Sequence, residues 1–139
     1  MHYKRFNNTI VARIDRGEEI LEQMAIIAKE ENIKLASVSA LGAASEITVG
    51  VYDVEKKEYY ANNFTGDLEI VSLTGNITTK DGQYYAHLHM SAGDEEGRVF
   101  GGHLNRAVIC ATCEMFIQVI DGVVERQYDE VTGLNILKF

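Results

Sequence analysis

Three of the four histidines in the sequence, His87, His89 and His103, fall within 17 residues, in Tyr84-Tyr-Ala-His-Leu-His-Met-Ser91 and Phe100-Gly-Gly-His-Leu104. Two histidines two apart on a strand project from one face, roughly 7 Å apart at the backbone. Their rings can therefore converge on one ion at about 2.0–2.1 Å from each nitrogen. The intervening loop centres near Asp94–Glu96, which sets His103 opposite position 87, 88 or 89. A one-residue slip would turn His103 to the other face; the register that avoids it makes an open tripod. Neutral imidazoles suit zinc, with nickel, copper or iron as substitutes. Three protein ligands leave a position for water or substrate, and zinc there lowers the pKa of a coordinated water to about 7. The alternative is three ordinary strand histidines, one packed against Tyr84 or Tyr85.

The residues that could support such a site are Glu69, Asp94 and Glu114, because a metal-bound imidazole usually donates its other N–H to a carboxylate or carbonyl. Asn105 and Arg106, just beyond His103, could meet an anionic ligand or simply shape a turn. Gly101-Gly102 fits a backbone that passes close to something bulky, or a β-bulge. Cys110-Ala-Thr-Cys113 has C-x-x-C spacing, but on a strand positions three apart face opposite ways. Those thiols can neither close a disulfide nor share a metal. No Ser-His-Asp order, phosphate loop or dinucleotide fingerprint is present.

The elements that must hold these side chains are mostly strands. Residues 3–15 read as a first strand, with Phe6, Ile10, Ala12 and Ile14 at even positions. Asp15 is a plausible N-cap for one long helix over 17–31, whose stripe is Ile20, Leu21, Met24, Ile27 and Ala28. Short strands follow at 35–41, 46–54, 58–64, 68–73 and 77–79, broken at Gly42-Ala-Ala44 and by a kink or bulge at Gly75-Asn76. Asp81-Gly82 signals a hairpin into strands at 84–91, 98–104 and 107–120. Segments 123–128 and 135–138 close the chain. The expected class is α+β: a mostly antiparallel, strongly curved sheet covered by a single long helix, in one domain over 1–139. One helix cannot cover so much sheet, so some of it must roll up or meet another subunit. The face carrying Val108, Cys110, Thr112, Phe116 and Gln118 is too apolar for open solvent, which points to a homo-oligomer.

Composition narrows the function classes. The chain has 139 residues, 46% apolar and 24% charged, with no proline. Linkers and collagen-like repeats are excluded. No apolar run approaches the ~20 residues that span a bilayer, and Met1–Ile10 lacks an apolar signal core, so the expected location is the cytoplasm. Thirteen basic against 21 acidic residues give a net charge of −8, which disfavours autonomous binding to DNA phosphates.

Five segments together resemble the PPC (plants and prokaryotes conserved) domain. They are Arg16-Gly-Glu-Glu-Ile-Leu21, Ser39-Ala-Leu-Gly-Ala43, Gly66-Asp-Leu-Glu-Ile-Val-Ser-Leu-Thr-Gly-Asn-Ile77, His87-Leu-His-Met-Ser91 and Gly97-Arg-Val-Phe-Gly-Gly-His-Leu104. The resemblance implies a compact antiparallel sheet with one helix, assembly as a homotrimer and, in prokaryotic members, a metal on the histidines matching His87, His89 and His103. Plant relatives carry the domain behind an AT-hook, and stand-alone prokaryotic ones are commonly described as candidate DNA-binding proteins. This sequence has no proline, so it contains no Arg-Gly-Arg-Pro hook core. The expected function is a metal-binding, candidate DNA-binding or regulatory protein; the alternative is a small zinc-dependent hydrolase or lyase using metal-bound water.

Overall fold

The computed structural model describes residues 1–139. The chain opens with a hairpin, β1 (His2–Phe6) and β2 (Thr9–Asp15), where one strand was expected. Its turn is Asn7-Asn8, and Asn7 takes φ +53°, a left-handed conformation that asparagine tolerates better than most residues. Helix α1 (Ile20–Glu30) has 11 residues, shorter than the expected 17–31. Its start is set by tertiary pairing: the Gly17 N–H donates to Ile109 O at 2.7 Å and the Ile109 N–H to Glu18 O at 3.0 Å. The segment before the helix is thereby tied to a strand. Glu19, not Asp15, is the N-cap, accepting from the Glu22 N–H at 2.8 Å. Asp15 instead receives the Met1 ammonium at 2.8 Å and Arg13 at 2.7 Å.

The remaining strands are longer than the sequence breaks imply. They are β3 (Ala36–Asp53), β4 (Glu58–Lys80), β5 (Gln83–Gly93), β6 (Val99–Val119), β7 (Glu125–Asp129) and β8 (Leu134–Lys138). The Gly42-Ala-Ala44 break is a pair of register shifts within one strand, at Ala40/Gly42 and Ala44/Glu46. No bulge occurs at Gly75-Asn76; the β4–β5 irregularity lies at Val71, between Ile70 and Ser72. A bulge lets a strand bend without ending, so a curved sheet can keep one strand where short ones were expected. The Asp81-Gly82 hairpin forms as expected, with both residues at positive φ (+52° and +73°), the requirement of a type I′ turn.

All pairings are antiparallel except a β4–β7 contact at Thr79↔Glu125. Strands β3, β4, β5 and β6 pair in a closed circuit: β3 with β4, β4 with β5, β5 with β6, and β6 back to β3. The sheet thus rolls up, and one cluster of 26 buried apolar residues fills its concave side. Ile20, Met24, Ile27 and Ala28 of α1 close that cluster. No helix is long and apolar enough to cross a membrane. The opposite surface keeps apolar residues in solvent, with Leu41 at 56%, Val71 at 59% and Phe116 at 49% exposure.

Candidate metal centre

Strands β5 and β6 pair with His89 directly opposite His103, Met90 opposite Gly102 and Ser91 opposite Gly101. This pairing, like one with His87, keeps all three imidazoles on one face; only a pairing with Leu88 would have turned His103 away. Leu88 and Met90, which alternate with the histidines, are 2% and 3% exposed and point into the core. The metal-facing and core-facing sides of β5 are therefore fixed by the same pleat.

The ligand atoms of His87, His89 and His103 all lie within 4.8 Å of one another. The His87 and His89 Nε2 atoms are 3.2 Å apart. Two nitrogens bound to one zinc at 2.0–2.1 Å in tetrahedral geometry would stand about 3.3 Å apart, so this pair already matches an ion's requirement. Ring centroids are 5.0 Å apart for His87–His89, 5.1 Å for His87–His103 and 5.7 Å for His89–His103. No fourth protein ligand joins them.

Glycines permit this convergence. A Cβ on Gly75 would collide with the His87 carbonyl oxygen, and one on Gly102 with the Gly50 carbonyl oxygen. Gly101-Gly102 is therefore a point of close strand approach with no break in the β5–β6 register. A Cβ on Gly50 would also meet the Tyr59 phenol. That phenol donates to Asn105 Oδ1 and, at 3.3 Å, to the His103 carbonyl oxygen. Its ring stands edge-on to His103 at 6.1 Å.

Burial favours the neutral form of two of the imidazoles, His87 and His103. Burial, followed by the positive charges of His103, Arg126 and His89, holds the His87 imidazole down to about 4. Burial and then His89 lower His103 as well. A neutral imidazole offers a lone pair and is the form that binds metals.

The proposed supporting residues are placed elsewhere. Asp94 holds the β5–β6 loop, accepting from the Glu96 and Arg98 N–H groups and from the Arg98 guanidinium at 2.7 Å. Glu69 is exposed and pairs in register with Ala43 and Gly93; Glu114 is exposed opposite Arg13. Neither reaches an imidazole: each lies within the sheet, flanked by a paired strand on both sides, and its side chain is exposed to solvent. Asn105 is taken by Tyr59, and Arg106 lies at 3.5 Å from Glu46. A concavity of about 740 Å³ between Phe64, Asp67, Asp94, Arg98 and Phe100 contains no histidine. Cys110 and Cys113 are free thiols, Cys113 buried and Cys110 half-buried.

Two residues near the histidines carried no signal in the sequence. Tyr59 arrives from the far end of β4, placed by its register opposite Tyr52. Arg126 lies in β7 and is only 7% exposed. Its Nε donates to Thr78 Oγ1 at 2.8 Å, Nη1 to Asn135 O at 2.8 Å and Nη2 to Asn76 Oδ1 at 2.9 Å. Its guanidinium also covers the Tyr85 ring at 4.8 Å.

A rolled antiparallel sheet with one capping helix and three convergent imidazoles defines the class. The chain belongs to the Plants and Prokaryotes Conserved (PCC) domain family, whose model matches residues 1–121. It is similar to a candidate DNA-binding protein from Bacteroides thetaiotaomicron (30% identity, TM-score 0.96), covering 99% of this chain and 96% of that one. A metal-containing protein from Archaeoglobus fulgidus is 35% identical with TM-score 0.89, over 100% of this chain and 99% of that one. A plant- and prokaryote-conserved protein from Pyrococcus horikoshii is 32% identical with TM-score 0.86, over 99% and 94%. A curated relative, bifunctional protein GlmU of a Synechococcus strain, is 29% identical over 124 residues, covering 87% of this chain and 19% of that protein. The chain thus spans about a fifth of the length of the curated relatives it matches.

Proposed function

We propose that this PCC-domain chain is a metal-binding protein that holds one divalent ion, zinc by preference, on His87, His89 and His103, with a position left open for a small ligand. The observation that carries the reading is the 3.2 Å Nε2–Nε2 separation of His87 and His89 with His103 directly across the ladder. The metal-containing relative from Archaeoglobus fulgidus supports it. Three neutral nitrogen donors favour zinc over magnesium or calcium, which take oxygen ligands. A zinc ion there would supply Lewis acidity to whatever occupies the open position. The protein's part is to hold the three rings together through glycine-permitted strand approach, with burial favouring the neutral form of His87 and His103. That arrangement suits a hydrolase or lyase; a purely structural zinc site would be expected to be closed by a fourth ligand. Elemental analysis of the purified protein tests the reading: about one zinc per chain is expected, and less than a tenth of that in His89→Ala. Equal metal content in both proteins would overturn it.

A regulatory, DNA-associated role is the second reading, supported by the description of the Bacteroides thetaiotaomicron relative. The net charge of −8 weighs against it, since non-specific duplex binding is driven by cationic neutralisation of phosphates. A gel shift with duplex DNA at low salt discriminates: we expect none.

The exposed outer face around Leu41, Val71 and Phe116 supports self-association, and we propose a homotrimer. Sedimentation equilibrium should return three times the chain mass, and Phe116→Glu should reduce it.

A further inference from the structure

Arg126 is a buried cation without a counter-charge. No carboxylate oxygen lies within ion-pair distance of it, and its three hydrogen-bond acceptors, Thr78 Oγ1, Asn135 O and Asn76 Oδ1, are all neutral. A guanidinium has five N–H donors, so two remain for another partner. Burying a charge is costly unless it is paired, and in a chain with 21 acidic residues the lack of one beside Arg126 is notable.

Arg126 also shares a face with the histidines. Asn76, which accepts from its Nη2, is the cross-strand partner of His87, and Thr78, which accepts from its Nε, is the partner of Tyr85, whose ring the guanidinium covers. Directly opposed residues in an antiparallel pair have Cβ atoms about 4.5–5.5 Å apart, so the guanidinium is one side chain removed from His87. No acidic side chain joins this face: along β4 and β5 it carries Thr74, Asn76, Thr78, Tyr85, His87 and His89. A divalent ion on the three imidazoles would add two further positive charges with no carboxylate on this face to balance them.

We infer that the open position takes a small oxyanion, a carboxylate or phosphate with one oxygen at the metal and another on Arg126. The inference rests on the metal reading above. The planar guanidinium fork matches both groups, and the anion supplies the charge that the surrounding side chains lack. It also moves the anion role from Arg106, which is exposed beside Glu46, to a residue held rigidly by three hydrogen bonds.

Cobalt-loaded protein provides the test, because its visible spectrum reports exchange at the open position without any activity assay. Malonate and inorganic phosphate are titrated into wild type, Arg126→Lys and Arg126→Met, with cobalt content and circular dichroism measured for each. Wild type should show saturable binding of at least one anion, and Arg126→Lys, which keeps charge but loses the fork, should bind it about tenfold or more weakly. Malonate-only or phosphate-only binding assigns the class. Equal anion affinity in wild type and a folded, cobalt-loaded Arg126→Lys overturns the inference alone, as does a loaded wild type that binds neither anion. Failure of wild type to take up cobalt overturns the metal reading and this inference with it.

Discussion

His89 and His103 are direct cross-strand partners whose rings stand nearly perpendicular, at 89°. Opposed residues on one face are the closest neighbours that a sheet can offer. This relationship therefore defines the site: His87 joins it by the two-residue period of β5, and the pleat sends Leu88 and Met90 into the core.

If the tripod holds the metal, chelation should lower the melting temperature of wild type and leave that of His103→Ala unchanged. A ligand bound only by the folded state adds RT ln(1 + [L]/Kd) to stability, about 2.7 kcal/mol at a hundred times Kd. Thermal scans with and without chelator check this; equal shifts in both proteins would contradict it.

Gly75→Ala and Gly102→Ala should each cost about 1–3 kcal/mol through forced strand separation and weaken metal binding, although neither residue is a ligand. Gly93→Ala is the control: its added Cβ would meet Val71 at an ordinary 3.6 Å. Urea melts and metal titration of the three variants decide the matter. Unchanged metal affinity in Gly102→Ala would show that strand approach does not set the tripod.

Metal-free protein should lose stability as pH falls from about 6.5 to about 4. The unfolded chain takes up a proton at His87 near 6.5, whereas the folded chain resists until about 4. Between those values the unfolded state binds more protons, so stability rises with pH. His87→Gln should flatten this slope in urea melts at several pH values, and a slope unchanged by the substitution would assign it elsewhere.

Glu19 joins the helix to the sheet. One carboxylate oxygen accepts from the Glu22 N–H and the other from the Ala107 N–H, both at 2.8 Å, and the residue is 7% exposed. Glu19→Ala leaves the helix start and a β6 amide unsatisfied and should cost about 2 kcal/mol. Glu19→Gln, which keeps only one acceptor oxygen, should fall between. Chemical denaturation ranks the three.

Thiol labelling should distinguish the cysteines. Burial, aided by Glu114, pushes the Cys113 thiol up to about 12, so it should stay inert until the protein unfolds, while half-buried Cys110 reacts first. Equal labelling rates in native protein would contradict the opposite-face placement.

The histidine face was legible because a period-two pattern and a loop midpoint are local quantities; they limited His103 to three positions, and the structure selected His89. The Asp81-Gly82 hairpin was legible for the same reason. The helix start was not, because Gly17 and Glu18 bond to Ile109, some ninety residues away. The Asn7-Asn8 turn is hidden in the sequence because its flanks keep the alternation of one continuous strand on both sides. Glycines 42 and 75 resemble breaks in a sequence, yet they serve close packing within long strands. Arg126 was invisible because an arginine in an ordinary strand segment gives no hint of burial, and its partners Asn76 and Thr78 are about fifty residues earlier.

The closed circuit of strands has a consequence for exchange. At His89, β5 is paired with Thr74 on one side and His103 on the other, and at His103, β6 is flanked by Gly50 and His89. Neither position lies on a free edge, so their amides should exchange with deuterium only through sub-global opening. His87 stands one step outside that doubly bonded zone, paired with Asn76 alone. Backbone opening around the tripod should therefore begin at His87, as a local event that leaves the rest of the sheet closed.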